Sequence, residues 1–163
     1  ISHTGLPGKP IVVTIDDGYS DIYQFAYPVA KQYGIKLSLF IPTGLLENPG
    51  YMSWSNLKDM VGSGMVFAYD HTWSHYSLPR GTRDKEEYEI MTAKKQLEDH
   101  LGGSNVIFAY PYGTSNALTV SILAAGGFKG AFTTIPGFLQ CDGFIYSLHR
   151  NRIGNAPLSA YGL

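Results

Sequence analysis

The chain has 163 residues, of which 44% are hydrophobic and 15% charged; this is the balance of a folded domain with a buried core, so we expect one domain over residues 1–163. Twelve basic and thirteen acidic residues leave a net charge of -1, which argues against nucleic acid or an anionic membrane as the main partner. No apolar stretch approaches the ~20 residues of a transmembrane helix.

Short apolar runs alternate with helical patterns along the chain. The predicted strands are residues 11–15, 37–41, 65–69, 105–110, 130–134 and 144–148. The predicted helices are residues 20–33, 54–62, 84–101 and 116–125, the third of which ends at a Gly-Gly stop signal. Because helices separate most of the strands, the pattern predicts βα units with a parallel sheet.

Reactive side chains follow several of these strands. Folds built on parallel strands bind ligands at the edge of the sheet where the carboxyl ends of the strands meet. The side chains at this edge are Asp16, Asp17, Asp70, His71, His75, Tyr110, Pro111, Tyr112, His149 and Arg150. The sequence therefore predicts one site at this edge.

Two histidines and two adjacent aspartates are the strongest candidates for a metal site. On a helical turn His71 and His75 would share a face and could hold one ion, although such a pair often only packs or faces solvent. One aspartate would complete the ligand set, and its neighbour could take a proton from water activated by the metal. Both aspartates reach one site only if the strand ends there, which Gly18 permits; an ordinary turn is the alternative.

Other polar and aromatic residues have simpler interpretations as well. Asp70 could orient His71, or it could cap a helix. The chain is rich in aromatic residues, with Trp54, Trp73 and 12 tyrosines, which is consistent with stacking on sugar faces. We expect most of these rings to lie in the core.

Three motifs resemble those of a known family. The segments TIDDGYSD (14–21), DHTWSH (70–75) and FAYPYG (108–113) resemble, in order and spacing, the first three motifs of the polysaccharide deacetylase domain (NodB homology, carbohydrate esterase family 4). The resemblance covers nearly the whole chain and is greatest to the circularly permuted branch, whose catalytic histidine lies upstream of the DDG motif. It implies an α/β fold, a distorted or incomplete (β/α) barrel with parallel strands, since a full barrel needs ~250 residues.

The resemblance also implies an activity. This is the metal-dependent hydrolysis of N-acetyl groups from an N-acetylglucosamine-containing polysaccharide, with release of acetate. The resemblance also implies that the protein acts outside the cytoplasm, either secreted or in the cell envelope. The N-acetylated glycan would be the partner; the particular polymer and the oligomeric state stay open. This chain holds no signal peptide, but it begins at Ile1 rather than Met, so an export signal could lie upstream.

The same resemblance assigns roles to individual residues. Asp16 would be the general base. Asp17, His71 and His75 would hold one divalent ion, most simply zinc, with cobalt, nickel, manganese or iron as alternatives. The third motif would line the pocket through Tyr110, Pro111 and Tyr112, with the Tyr112 N–H in the oxyanion hole.

Two departures from the family pattern leave alternatives open. The third motif lacks the arginine that orients the base, and Arg150 or Arg152 could supply that charge. The general acid is either His149, in a late Leu-x-His motif, or a residue upstream of this chain. A catalytically silent carbohydrate-binding module that retains the metal triad is therefore the alternative function, and an iron oxygenase is a third.

Overall fold

A single parallel sheet forms the centre of the computed structural model, which describes residues 10–138, 140–154 and 156–161. Its strands are β1 (Val13–Ile15), β2 (Leu37–Ile41), β3 (Val66–Asp70), β4 (Ile107–Ala109) and β5 (Gly130–Phe132). They are ordered β1-β2-β3-β4-β5, all parallel, and the sheet curls into a half-barrel. The predicted incomplete barrel is therefore confirmed, while the single-domain prediction also covers residues 1–9, 139, 155 and 162–163, which lie outside the described part.

Four α-helices connect the strands, close to their predicted positions. They are α1 (Tyr27–Tyr33), which a π-helical stretch (Ile22–Ala26) precedes, α2 (Trp54–Gly62), α3 (Arg83–Leu101) and α4 (Ala117–Ala125). Ser53, Thr82 and Asn116 cap the starts of α2, α3 and α4 by accepting a backbone N–H with the side-chain oxygen. None of the helices in the described residues is long and apolar enough to cross a bilayer.

The core lies between the sheet and its helices. One face of α3 is buried, with Ile90 and Ala93 at 0% and Leu97 at 1% exposure. One cluster joins β1, β2 and β3 to α1 and α2, and a second joins β4 and β5 to α4. Burial of the apolar side chains sets the register of each strand. The register in turn fixes which polar residues lie at the carboxyl edge of the sheet.

The sixth predicted strand, residues 144–148, is wrong. That segment forms a turn in which the Ser147 N–H donates to the Phe144 carbonyl at 2.7 Å. Only one parallel bridge, Phe132 to Leu148, pairs it with β5. The segment still lies along the edge of β5, because the Ile145 carbonyl accepts the Ala131 N–H and the Leu148 N–H donates to the Ala131 carbonyl, each at 2.9 Å, but the turn between them interrupts the regular pairing of a strand.

Candidate metal centre

Asp17, His71 and His75 converge at the carboxyl edge of the sheet. Asp17 follows β1, and both histidines follow β3. An Asp17 carboxylate oxygen (Oδ1) lies 3.2 Å from His75 Nε2 and 3.6 Å from His71 Nε2. One ligand atom from each of the three residues lies within 4.8 Å of the other two.

The DDG motif ends β1 with left-handed backbone. Strand β1 stops at Ile15, and Asp17 and Gly18 have φ of 74° and 71°. This breaks the alternation of a strand, so that both aspartates can serve one edge, as the sequence required. A left-handed conformation costs an aspartate free energy that glycine avoids, and such strain is typical of functional sites.

The two histidines do not lie on a helical turn, which corrects the sequence prediction. They belong to an irregular loop in which Thr72 and His75 have φ of 66° and 59°. The two rings still meet edge to face, with their centroids 4.9 Å apart. The four-residue spacing therefore brings them together through left-handed backbone rather than through helical geometry.

A backbone carbonyl orients His71. Its Nδ1 lies 2.6 Å from the Ala109 carbonyl oxygen, so Nδ1 carries the proton and Nε2 is free to bind a metal. Asp70 does not do this: its Oδ1 accepts the Thr72 N–H at 2.7 Å, which shapes the loop without capping a helix. Burial raises the pKa of the Asp70 carboxyl well above its usual range. The role of Ala109 leaves no side-chain signal in the sequence.

The donor set fits a divalent transition metal. The His71 and His75 imidazoles beside it hold the pKa of the Asp17 carboxyl well below its usual range, so this carboxyl is ionised, the form that binds a metal. Two imidazoles and one carboxylate suit zinc and its neighbours, and three ligands leave positions for water or substrate.

Asp16 lies beside the triad in a two-point ion pair with Arg150. The guanidinium donates from Nη1 to Oδ1 at 2.7 Å and from Nη2 to Oδ2 at 2.8 Å. Its Nε donates to the Thr133 carbonyl at 3.0 Å, and it lies over the Phe40 ring at 5.6 Å. Of the two arginines that the sequence left open, Arg150 occupies this position, whereas Arg152 is exposed to solvent.

The third motif contributes one accessible side chain. Tyr110 is fully buried, burial raises its pKa, and its hydroxyl donates to the Tyr146 carbonyl at 2.9 Å. Pro111 is also buried, so neither of these two side chains is open to solvent, and the lining of the pocket by Tyr110 and Pro111 stays a prediction. Tyr112 is 64% exposed, and its ring meets His75 edge to face at 4.7 Å. A cavity of about 640 Å³ opens beside these two residues.

His149 lies apart from these contacts. Its ring stacks on Phe144, with centroids 5.3 Å apart, and lies against Gly137. Within the described ranges it makes no hydrogen bond or ion pair with the triad or with Asp16. Its role as the general acid stays a prediction.

Sequence reasoning missed Glu89, which anchors the histidine loop to α3. This fully buried carboxylate accepts the Ser74 N–H at 2.8 Å and the Ser74 hydroxyl at 2.7 Å, and it pairs with Lys85 at 2.8 Å. The Glu89 carbonyl also accepts the Trp73 N–H at 2.9 Å. A signal was present, since Glu89 lies four residues before Ala93 and eight before Leu97, on the buried face of α3, where a charge is unexpected.

Fold and site together define an α/β protein that can hold a metal ion, with a positioned carboxylate beside it, at the carboxyl edge of a parallel half-barrel. The chain belongs to the polysaccharide deacetylase family, whose model matches residues 3–131. The predicted resemblance to NodB, carbohydrate esterase family 4 domains is thereby confirmed.

Relatives and solved structures agree with this placement. The Bacillus subtilis (strain 168) protein YxkH is 32% identical over 89% of this chain and 52% of its own length. The poly-β-1,6-N-acetyl-D-glucosamine N-deacetylase of Staphylococcus aureus (strain MRSA252) is 28% identical over 78% of this chain and 48% of its own length. The Streptococcus pyogenes deacetylase PplD, solved in complex with acetate, has a TM-score of 0.87 and 31% identity over 93% of this chain and 68% of that chain. This chain thus spans about half the length of the curated relatives it matches.

Proposed function

We propose that this chain is the catalytic domain of a metal-dependent N-deacetylase, which removes acetyl groups from an N-acetylglucosamine-containing polysaccharide. One observation carries the proposal: the Asp17, His71 and His75 donors lie beside an aspartate, Asp16, that an arginine holds by both oxygens. An ion pair that served only to stabilise the fold would not need to lie next to three metal-binding side chains.

The residues of the chain can perform the first proton transfer of amide hydrolysis, from the attacking water to a base. A divalent ion held by the triad would lower the pKa of a bound water and polarise the acetyl carbonyl. Each Asp16 oxygen uses one lone pair on Arg150 and keeps another, with which it can accept the proton of the attacking water. The Tyr112 N–H makes no hydrogen bond to a described residue and can donate to the developing oxyanion.

The substrate class is supported by the relatives. The Staphylococcus aureus protein is named for deacetylation of poly-β-1,6-N-acetyl-D-glucosamine, and the solved PplD structure contains acetate, the product of such a reaction. We extend that chemistry to this chain and place its action outside the cytoplasm, where such polymers lie.

A second candidate is a silent carbohydrate-binding module that keeps the triad. It is favoured by the position of His149, whose ring stacks on Phe144 instead of approaching the metal ligands. Without an acid, the leaving amine is not protonated and turnover is slow.

Acetate release from a short N-acetylglucosamine oligomer separates these functions. Protein stripped with a chelator should release none, and restored zinc or cobalt should recover the reaction. One bound metal per chain with no acetate from any oligomer would favour the silent module. Acetate release that is insensitive to the chelator would refute the metal-dependent mechanism.

A further inference from the structure

The two tryptophans, both partly buried, pack against other rings. Trp54 stacks on His100 with ring centroids 3.9 Å apart. Trp73 meets Tyr88 edge to face, and its ring lies so close to Gly44 that a Cβ there would clash. Proteins that bind glycans offer exposed aromatic faces to the C–H faces of sugars, and exposed tyrosines near the metal ligands can supply such a surface.

A stacked pair of tyrosines follows the DDG motif. Tyr19 lies two residues after Asp17, and its ring stacks on Tyr51 with centroids 5.0 Å apart and planes 26° apart. Tyr19 is nevertheless 45% exposed. One face of its ring lies against Tyr51, and nearly half of the residue's surface stays accessible to a ligand.

The backbone holds this pair in place. Tyr19 and Tyr51 form an antiparallel bridge, and the adjacent Ser20 N–H donates to the Gly50 carbonyl at 2.9 Å. An aromatic surface that is already ordered loses little conformational freedom on binding. The exposed Tyr19 ring, backed by half-buried Tyr51, is therefore an ordered aromatic surface next to a metal ligand.

We propose that the Tyr19–Tyr51 pair binds the sugar ring adjacent to the N-acetylglucosamine unit that is deacetylated. The inference rests on the proposed function, which places an acetyl group at the triad that contains Asp17. A polymer bound there must lay its neighbouring rings on the surface around Asp17, where the pair lies. The preferred substrate is then a chain of several pyranose units, and an isolated N-acetylated monosaccharide is a poor one.

Kinetics on oligomers of increasing length test this subsite. With metal-loaded wild-type protein, kcat/KM should rise from the monosaccharide to the tetramer. Tyr19→Ala and Tyr51→Ala should each reduce the tetramer-to-monosaccharide ratio of kcat/KM by roughly three- to tenfold, because one ring contact is lost. Tyr19→Phe, which keeps the ring, should restore most of that ratio. Tyr33→Ala, which removes an exposed tyrosine on α1, is the matched control and should leave the ratio unchanged.

The outcome that overturns the subsite is a tetramer-to-monosaccharide ratio that stays at the wild-type value in Tyr19→Ala and Tyr51→Ala. An unchanged ratio would overturn the subsite even if overall activity fell, because damage to the nearby metal site lowers kcat/KM for every substrate by the same factor.

A binding measurement separates failure of the subsite from failure of the proposed function. If wild-type protein releases no acetate, the proposed function fails, and calorimetry with the N-acetylglucosamine tetramer then tests the subsite alone. Weaker binding by Tyr19→Ala than by Tyr33→Ala would support it, and equal binding would overturn it.

Discussion

Replacement of Arg150 should separate catalysis from metal binding. Its guanidinium donates to both oxygens of Asp16, and neither the triad nor the cavity beside His75 depends on it. Asp16 is 27% exposed, so without Arg150 its carboxylate can turn and bind water instead of facing the substrate. The predicted defect is therefore in the orientation of the base.

The size of this defect follows from the two hydrogen bonds. A general base contributes about 10²–10⁴ in rate, and a misplacement of about 1 Å costs about 10². We expect Arg150→Ala to lower kcat about 100-fold and Arg150→Lys about tenfold, since an ammonium keeps the charge but not the planar fork. The free energy of unfolding should fall by about 1–2 kcal/mol, because these hydrogen bonds are only partly shielded from water.

The assay compares acetate release, metal affinity and unfolding in Arg150→Ala and Arg150→Lys. Metal affinity should stay within about threefold of wild type, because ligand geometry is unchanged. Arg152→Ala is the matched control, since it removes an exposed arginine two residues away. Acetate release within threefold of wild type in Arg150→Ala, or an equal loss in Arg152→Ala, would refute the reasoning.

Three further changes test the surroundings of the site. Glu89→Gln should weaken metal affinity about tenfold, because an amide cannot accept both Ser74 hydrogen bonds and the Lys85 pair; Glu87→Gln on the exposed face of α3 is the control, and equal affinities would contradict the anchoring role. If His149 is the general acid, His149→Ala should lower kcat/KM about 100-fold, and a change of less than about fivefold would show that another group protonates the leaving amine. Burial raises the pKa of Glu86 above the usual 4.5, so the stability it contributes is present below that value and is lost as pH rises through the raised pKa. The melting temperature of Glu86→Gln relative to wild type should therefore increase between about pH 4 and pH 7, and a constant difference would contradict this assignment.

The part of the site carried by side chains at strand ends could be predicted from the sequence. Hydrophobic runs located β1 and β3, and the polar residues that follow them had to share one edge. The convergence of Asp17, His71 and His75 follows from that topology together with the end of β1 before Gly18.

The parts that depend on backbone conformation and long-range contacts could not be predicted. The HxxxH spacing suggested a helix, whereas left-handed Thr72 and His75, in a loop anchored by Glu89, set the geometry. The Ala109 carbonyl that orients His71 comes from another strand and has no side-chain signal. Tyr110 follows β4 at the edge of the sheet where the site lies, but its side chain is buried in the second core cluster.

The central claim is that adjacent aspartates have different roles, one binding the metal and one accepting a proton. The most direct test is to measure bound zinc per chain and acetate release on the same sample of Asp16→Asn. We predict one zinc per chain, as in wild type, with acetate release reduced at least 100-fold. Acetate release close to wild type with zinc bound would contradict the claim, and so would loss of the zinc.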